Sequence, residues 1–185
     1  MIYLIRHGLD DEKYIGGWSD VDLIKDGISQ IKESRKFIVD KGLVINKIIS
    51  SDIKRARTTC EIINEVLNIN VIYSDKLREL DKGDYTGVLK NSLSKNELKR
   101  INNFSIYDKY PNGESMLDLY CRMKCYLDDL KKFDNVLLVT HRGVINMFYY
   151  LINNVNLDMD KEKFGVIHGS VHELDIKKKL IRRIF

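Results

Sequence analysis

Two short apolar runs in this chain end in the same way. "IYLIRHG" delivers Arg6, His7 and Gly8, and "VLLVTHRG" delivers His141, Arg142 and Gly143. An imidazole placed just beyond a buried strand can act as a nucleophile or a hydrogen-bond partner, and a neighbouring guanidinium adds a permanent charge with a planar fork of donors. A third run, "KIIS", passes into "SDIKRARTT", where Arg55 and Arg57 fall near the start of a helix whose free N–H groups and positive dipole end favour anions. Arg6, Arg55, His7 and His141 together have the makings of a phosphate pocket. A lone histidine is more often a packing residue and a lone arginine a solvated one. Position sets these four apart, since each follows a predicted strand and open α/β sheets place ligands at the C-terminal ends of their strands.

A carboxyl group completes the set. "LRELDKGDYTG" follows another short strand and puts Glu79 where it can enter the same crevice, with Asp81 and Asp84 in loop. Taken alone, Glu79 would read as a surface partner of Arg78. Beside a phosphate, an ionised carboxylate is repelled, which favours the protonated form that can donate to a leaving group.

The elements that must position these groups can be read from periodicity. Ile2 to Ile5 is a continuous apolar strand, as in a parallel sheet covered on both faces. A helix is predicted from Lys25 to about Lys41, stopped by Gly42, followed by a strand at Ile45 to Ile49, a helix at Lys54 to Leu67 and a strand at Val71 to Tyr73. Residues 81–113 are polar, contain the one proline, Pro111, and read as a loop-rich excursion with a small helix around Leu93 to Ile101. Then come a helix at Glu114 to Lys131, a strand at Asn135 to Val139, a helix at Val144 to Ile152, and two strands from Val171 onward around the Lys177 to Lys179 turn. This alternation predicts a single α/β domain over residues 1–185, a three-layer sandwich with a mostly parallel central sheet flanked by helices.

Composition narrows the function classes. The formal net charge is +4, but Lys177, Lys178, Lys179, Arg182 and Arg183 account for more than all of it. Basicity confined to one tail argues against a nucleic-acid partner, which requires a broader stripe. Cys60, Cys121 and Cys125 are an odd count, and the last two are one helical turn apart, so all three read as reduced packing thiols of a cytoplasmic protein. The first apolar run stops at Arg6, too short for a signal segment, and no later run approaches a membrane span. Neither a membrane nor a nucleic acid is expected as a partner.

The ordered set of motifs resembles the histidine phosphatase superfamily, which includes cofactor-dependent phosphoglycerate mutases and small-molecule phosphatases. Arg6-His7-Gly8, "GGWSDVDLIKDG", "SSDIKRARTT" at Arg55, "LRELDKGDYTG" at Glu79, "YPNGES" at Gly113 to Ser115 and "VTHRG" at His141 match its segments in order over nearly the whole chain. The resemblance implies a phosphoglycerate mutase-like fold and catalysis by His7, Glu79 and His141. It implies phosphate binding by Arg6, Arg55, His141 and the backbone N–H of Arg142, a phosphohistidine on His7, a small phosphate ester as partner, and neither metal nor other cofactor. A monomer or homodimer is expected.

Departures from the family pattern bear on the substrate. Leu9 and Asp10 follow Arg-His-Gly where the family commonly has Glu or Gln and then Thr or Pro, and the family's phosphate-contacting asparagine has no clear counterpart, Lys13 standing nearest. The region from Gly87 to Pro111 is shorter than the inserts that enclose a mutase substrate, which favours hydrolysis, and the short "GGW-D" loop resembles α-ribazole phosphatase-like members. Mutase-type transfer and a non-catalytic phosphate-binding module are the alternatives. His168 and His172 are four apart, but about 13 Å separates such positions in an extended strand, so they predict no metal site.

Overall fold

The computed structural model describes residues 1–185. Six strands form one sheet: β1 (Ile2–Arg6), β2 (Lys47–Ser51), β3 (Val71–Ser74), β4 (Val136–Thr140), β5 (Val171–Asp175) and β6 (Leu180–Arg183). Their order is β3-β2-β4-β1-β5-β6. The first four run parallel, and the C-terminal hairpin adds β5 antiparallel to β1 and β6 antiparallel to β5. The fold is therefore α/β with a mostly parallel sheet, as predicted.

Strand alternation divides the core between two faces. Leu4, Ile49, Val136 and Leu138 pack under helices α4 (Met116–Leu130) and α5 (Arg142–Asn153), while Ile5, Ile48, Leu137 and Val139 pack under α1 (Lys25–Asp40) and α2 (Lys54–Leu67). Each helix contributes an apolar face at the spacing the sequence displays: Ile31 and Ile38 from α1, Ile62 and Ile63 from α2, Leu119, Met123 and Leu130 from α4. The excursion after Glu79 carries the short helix α3 (Lys95–Asn102), opened by a Ser94–Glu97 capping box. Ser115 and Asp118 cap α4 in the same reciprocal manner.

All four parallel strands run past their predicted C-terminal ends, β1 by Arg6 and β3 by Ser74. β2 extends through Ser50 and Ser51 and β4 through Thr140, all three fully buried polar residues at the C-terminal ends of their strands. Because β4 lies between β2 and β1, the chain beyond Thr140 emerges between Ser51 and Arg6.

Candidate active site

His7 and His141 leave adjacent strands, β1 and β4, and their ring centroids lie 5.0 Å apart. The Nδ1 of His7 is 2.8 Å from the carbonyl of Gly8, an acceptor only, so Nδ1 carries the proton and Nε2 keeps its lone pair. Burial and the neighbouring Arg55, His141 and Arg6 hold His7 well below the usual histidine range, which keeps its imidazole neutral. His141 is fully buried, its Nε2 2.9 Å from the hydroxyl of Ser51, and its Nδ1 has no partner. It lies behind the cavity wall rather than on it.

The two arginines are held by different partners. Arg6, the last residue of β1, donates through Nη1 to the carbonyl of Val166 at 2.8 Å and places Nη2 2.5 Å from Nε2 of His168. Its buried Nε has no partner, and burial lowers its pKa to about 10, leaving it charged at neutral pH. Arg55, on the first turn of α2, is 2 % exposed and donates to the carbonyl of Gly17 at 2.7 Å and of Ser19 at 3.3 Å. Its Nε lies 3.2 Å from Nε2 of His7 and 3.4 Å from a carboxylate oxygen of Asp10. Arg57, the other arginine of that run, sits instead over the ring of Tyr73 at 4.4 Å.

Glu79 faces the N-terminus of α5. One carboxylate oxygen accepts from Gly143 N at 3.1 Å and the other from Leu80 N at 2.9 Å. Only glycine permits this approach, since a β-carbon at residue 143 would fall 2.1 Å from the Glu79 carboxylate. The backbone of Glu79 is held from both sides: the indole N–H of Trp18 donates to its carbonyl at 2.7 Å, and Arg122 Nη2 donates to the same oxygen at 3.2 Å. Arg78 pairs with Asp52 rather than with Glu79. "GGWS" thus braces both Arg55, through Gly17 and Ser19, and Glu79, through Trp18.

These groups line one cavity of about 950 Å³ including its open mouth. Arg6, His7, Asp10, Arg55, Glu79 and Gly143 line it, as do Lys82, Lys90 and Lys161 together with Glu12, Asp158 and Asp160. Lys82 is lowered to about 8 by burial and by Lys161. Arg142 lines the wall with its side chain turned to Glu162, so its contribution inward is the helix N-terminus it begins. Lys13 is exposed and away from the wall; its carbonyl instead accepts from Lys90 N at 2.9 Å, so the lysine the sequence pointed to is a support for another one.

Sequence reading missed Asp10, Lys82, Lys90 and Lys161 on the cavity wall and His168 beside His7. His168 precedes β5, and because β5 runs antiparallel to β1, its start meets the end of β1. His168 therefore stands beside His7, with ring centroids 5.6 Å apart, while His172 lies within the strand, bonded to Tyr149 and Ser170. One ligand atom each from His7, Asp10 and His168 lie within 4.8 Å of one another. A cation is nonetheless poorly served there, because Arg55 and Arg6 face the free nitrogens of both imidazoles. The donor set fits an anion.

A family model for the histidine phosphatase superfamily, branch 1, matches residues 2–182. The chain belongs to that superfamily. A probable phosphoglycerate mutase, GpmB, of Escherichia coli is 34% identical over 149 residues, which are 76% of this chain and 68% of that protein. Among solved structures, a candidate alpha-ribazole-5'-P phosphatase of Escherichia coli superposes with a TM-score of 0.81 at 20% identity, covering 98% of this chain and 93% of the other. A mycobacterial glucosyl-3-phosphoglycerate phosphatase does so with a TM-score of 0.76 at 20% identity, covering 98% and 94%. Both share the fold of this superfamily member, and membership supports a phosphoryl-transfer enzyme. No helix is long and apolar enough to cross a membrane.

Proposed function

We propose that this protein hydrolyses a small phosphomonoester by way of a phosphohistidine on His7. The observation that carries the reading is the arrangement around the His7 Nε2 lone pair: a neutral imidazole with two buried guanidiniums and a carboxyl group lining a single cavity, and a second imidazole packed behind it at 5.0 Å. In the first step Nε2 attacks phosphorus in line, the bond to the ester oxygen breaks, and Glu79 gives its proton to the departing alkoxide. In the second, the Glu79 carboxylate takes a proton from water as the water oxygen attacks phosphorus. The P–N bond breaks, phosphate leaves, and both residues return to their starting forms.

Arg6, Arg55 and His141 suit the nonbridging oxygens, whose charge is redistributed in the transition state. The unpartnered Arg6 Nε and His141 Nδ1 are buried polar atoms that a bound oxyanion would satisfy. The N-terminus of α5 adds backbone donors on the same side. No step requires a metal or another cofactor.

The organic half of the substrate meets Lys82, Lys90 and Lys161, with Met116, Met147 and Tyr150 alongside. A small metabolite fits this wall, and the α-ribazole phosphatase-like loop makes a nucleotide-like phosphate one member of the panel to try. The relative named as a probable phosphoglycerate mutase supports a second reading, transfer of the phosphoryl group to a second acceptor.

The test is turnover of p-nitrophenyl phosphate and a panel of phosphorylated metabolites, with acid-quenched enzyme analysed by mass spectrometry. Release of inorganic phosphate, with an acid-labile phosphoryl group on His7 that His7→Ala lacks, supports hydrolysis. Dominant conversion of 3-phosphoglycerate to 2-phosphoglycerate with a bisphosphoglycerate primer would replace it with the mutase reading. Phosphate binding without any turnover would leave only a binding module.

A further inference from the structure

Asp10 is a carboxylate set inside a site suited to an anion. Its Oδ2 is 3.4 Å from Nε of Arg55 and its Oδ1 is 3.9 Å from Nε2 of His168. One of its oxygens lies within 4.8 Å of a ring nitrogen of His7. Its side chain is only 14% exposed. In the resting site Asp10 is the counter-ion of Arg55, and Arg55 in turn covers the lone pair of His7 that has to reach phosphorus. A phosphoryl dianion arriving here competes with Asp10 for Arg55 and places its own charge against the carboxylate.

We propose that Asp10 takes up a proton as the phosphoryl group enters, and that the neutral carboxyl then donates a hydrogen bond to a nonbridging oxygen. The inference rests on the phosphate-site reading above. It gives Asp10 a specific part: ionised, it holds the empty pocket together; protonated, it becomes one more donor.

The groups facing Asp10 decide the balance. Arg6 at the end of β1, Arg55 on α2 and the imidazoles of His7 and His168 surround it, with Glu12 nearby on its own loop. Burial and Glu12 favour the neutral acid, while Arg55 and Arg6 favour the carboxylate. A bound dianion neutralises those two cations and adds like charge, so both changes push toward protonation. His168 is a poorer acceptor for that proton, because its Nε2 already faces the Arg6 guanidinium at 2.5 Å and burial with Arg6, Arg142 and Arg55 lowers it to about 3.

The experiment is calorimetric titration with tungstate, a dianion that does not itself take a proton near neutrality, in buffers of different ionisation enthalpy. The wild type is expected to take up close to one proton more per tungstate bound than Asp10→Asn, and its affinity to fall more steeply, by nearly a further factor of ten per pH unit, over about pH 6.5 to 8.5. Asp10→Asn should keep only the uptake and pH slope that Glu79 and Lys82 supply, and bind tungstate at least tenfold more tightly at the alkaline end. Asp10→Ser gives the same comparison if the amide perturbs folding. Subtracting one protein from the other removes protons taken by Glu79 and Lys82.

Equal uptake and equal pH slopes in wild type and Asp10→Asn would overturn the inference while leaving the phosphate site standing. Loss of the uptake in His168→Gln but not in Asp10→Asn would move the proton to the imidazole and overturn it as well. A wild type that neither binds tungstate nor hydrolyses p-nitrophenyl phosphate would bring down the phosphate-site reading, and this inference with it.

Discussion

Gly143 and Glu79 make an interdependent pair at the scale of single residues. Glu79→Gln keeps the shape of the side chain and removes the transferable proton, so kcat should fall about 10² to 10⁴-fold while tungstate still binds. Gly143→Ala attacks the same function from the other side: its methyl carbon would fall 2.1 Å from the Glu79 carboxylate and displace the acid. Its kcat should fall by about as much as that of Glu79→Gln, since small misplacements of a reacting group cost on the order of 10²-fold. Combining the two changes should add little. Steady-state kinetics of the two single variants and the double variant check this, and full additivity would show that Gly143 acts elsewhere. Residue identity was well legible in the sequence where strands end: His7, His141, Arg6, Arg55 and Glu79 all meet at one site. Asp10 and His168 were not. Their significance comes from a loop fold and from the antiparallel start of β5, neither of which leaves a periodic trace.

Helices were legible almost to the residue because their apolar faces and stop signals are local. The strand ends were less so, and for a physical reason. Ser50, Ser51 and Thr140 read as loop by polarity, yet they are strand residues whose hydroxyls serve the site: Ser51 meets His141, and Thr140 donates to the carbonyl of Leu77 at 2.8 Å. Burial there is made possible by hydrogen bonding rather than by hydropathy. The segment that carries Glu79 is fixed by a comparable device. Arg122, on α4, bonds both oxygens of Glu114 and donates to the carbonyls of Lys76, Arg78 and Glu79. Glu114 in turn accepts from Asp81 N at 3.0 Å. Arg122→Met removes five hydrogen bonds and leaves the Glu114 carboxylate with the Asp81 N–H alone, which should cost about 2–3 kcal/mol in urea unfolding. If the brace also positions the acid, kcat should drop about tenfold or more with KM little changed, and amide exchange over residues 76–81 should quicken. A loss of stability with unchanged kcat would reduce Arg122 to a packing role.

At the scale of the whole molecule, all four histidines share one property. His7 and His141 are held well below the ordinary range by burial, His168 lies near 3 and His172 near 4, so the native state keeps every imidazole neutral where the unfolded chain would protonate it. The sign follows directly. Between the unfolded value near 6.5 and these lower folded values, the unfolded state binds more protons, so stability falls as pH falls. Each fully protonated imidazole contributes about 1.4 kcal/mol per pH unit to that slope, and four acting together could exhaust a typical domain stability within a few pH units. Urea unfolding should therefore show a steep loss of stability beginning below about pH 6.5, well above the range in which carboxylates titrate. His172 tests the assignment away from the catalytic groups, because it bonds only Tyr149 and Ser170 in the core between β5 and α5. His172→Gln retains polar atoms for those two hydroxyls and should reduce the pH slope by about one proton's worth. A variant slope equal to that of the wild type would mean that His172 is protonated in the native state or still buried in the unfolded one, and the linkage would then rest on the three imidazoles of the site.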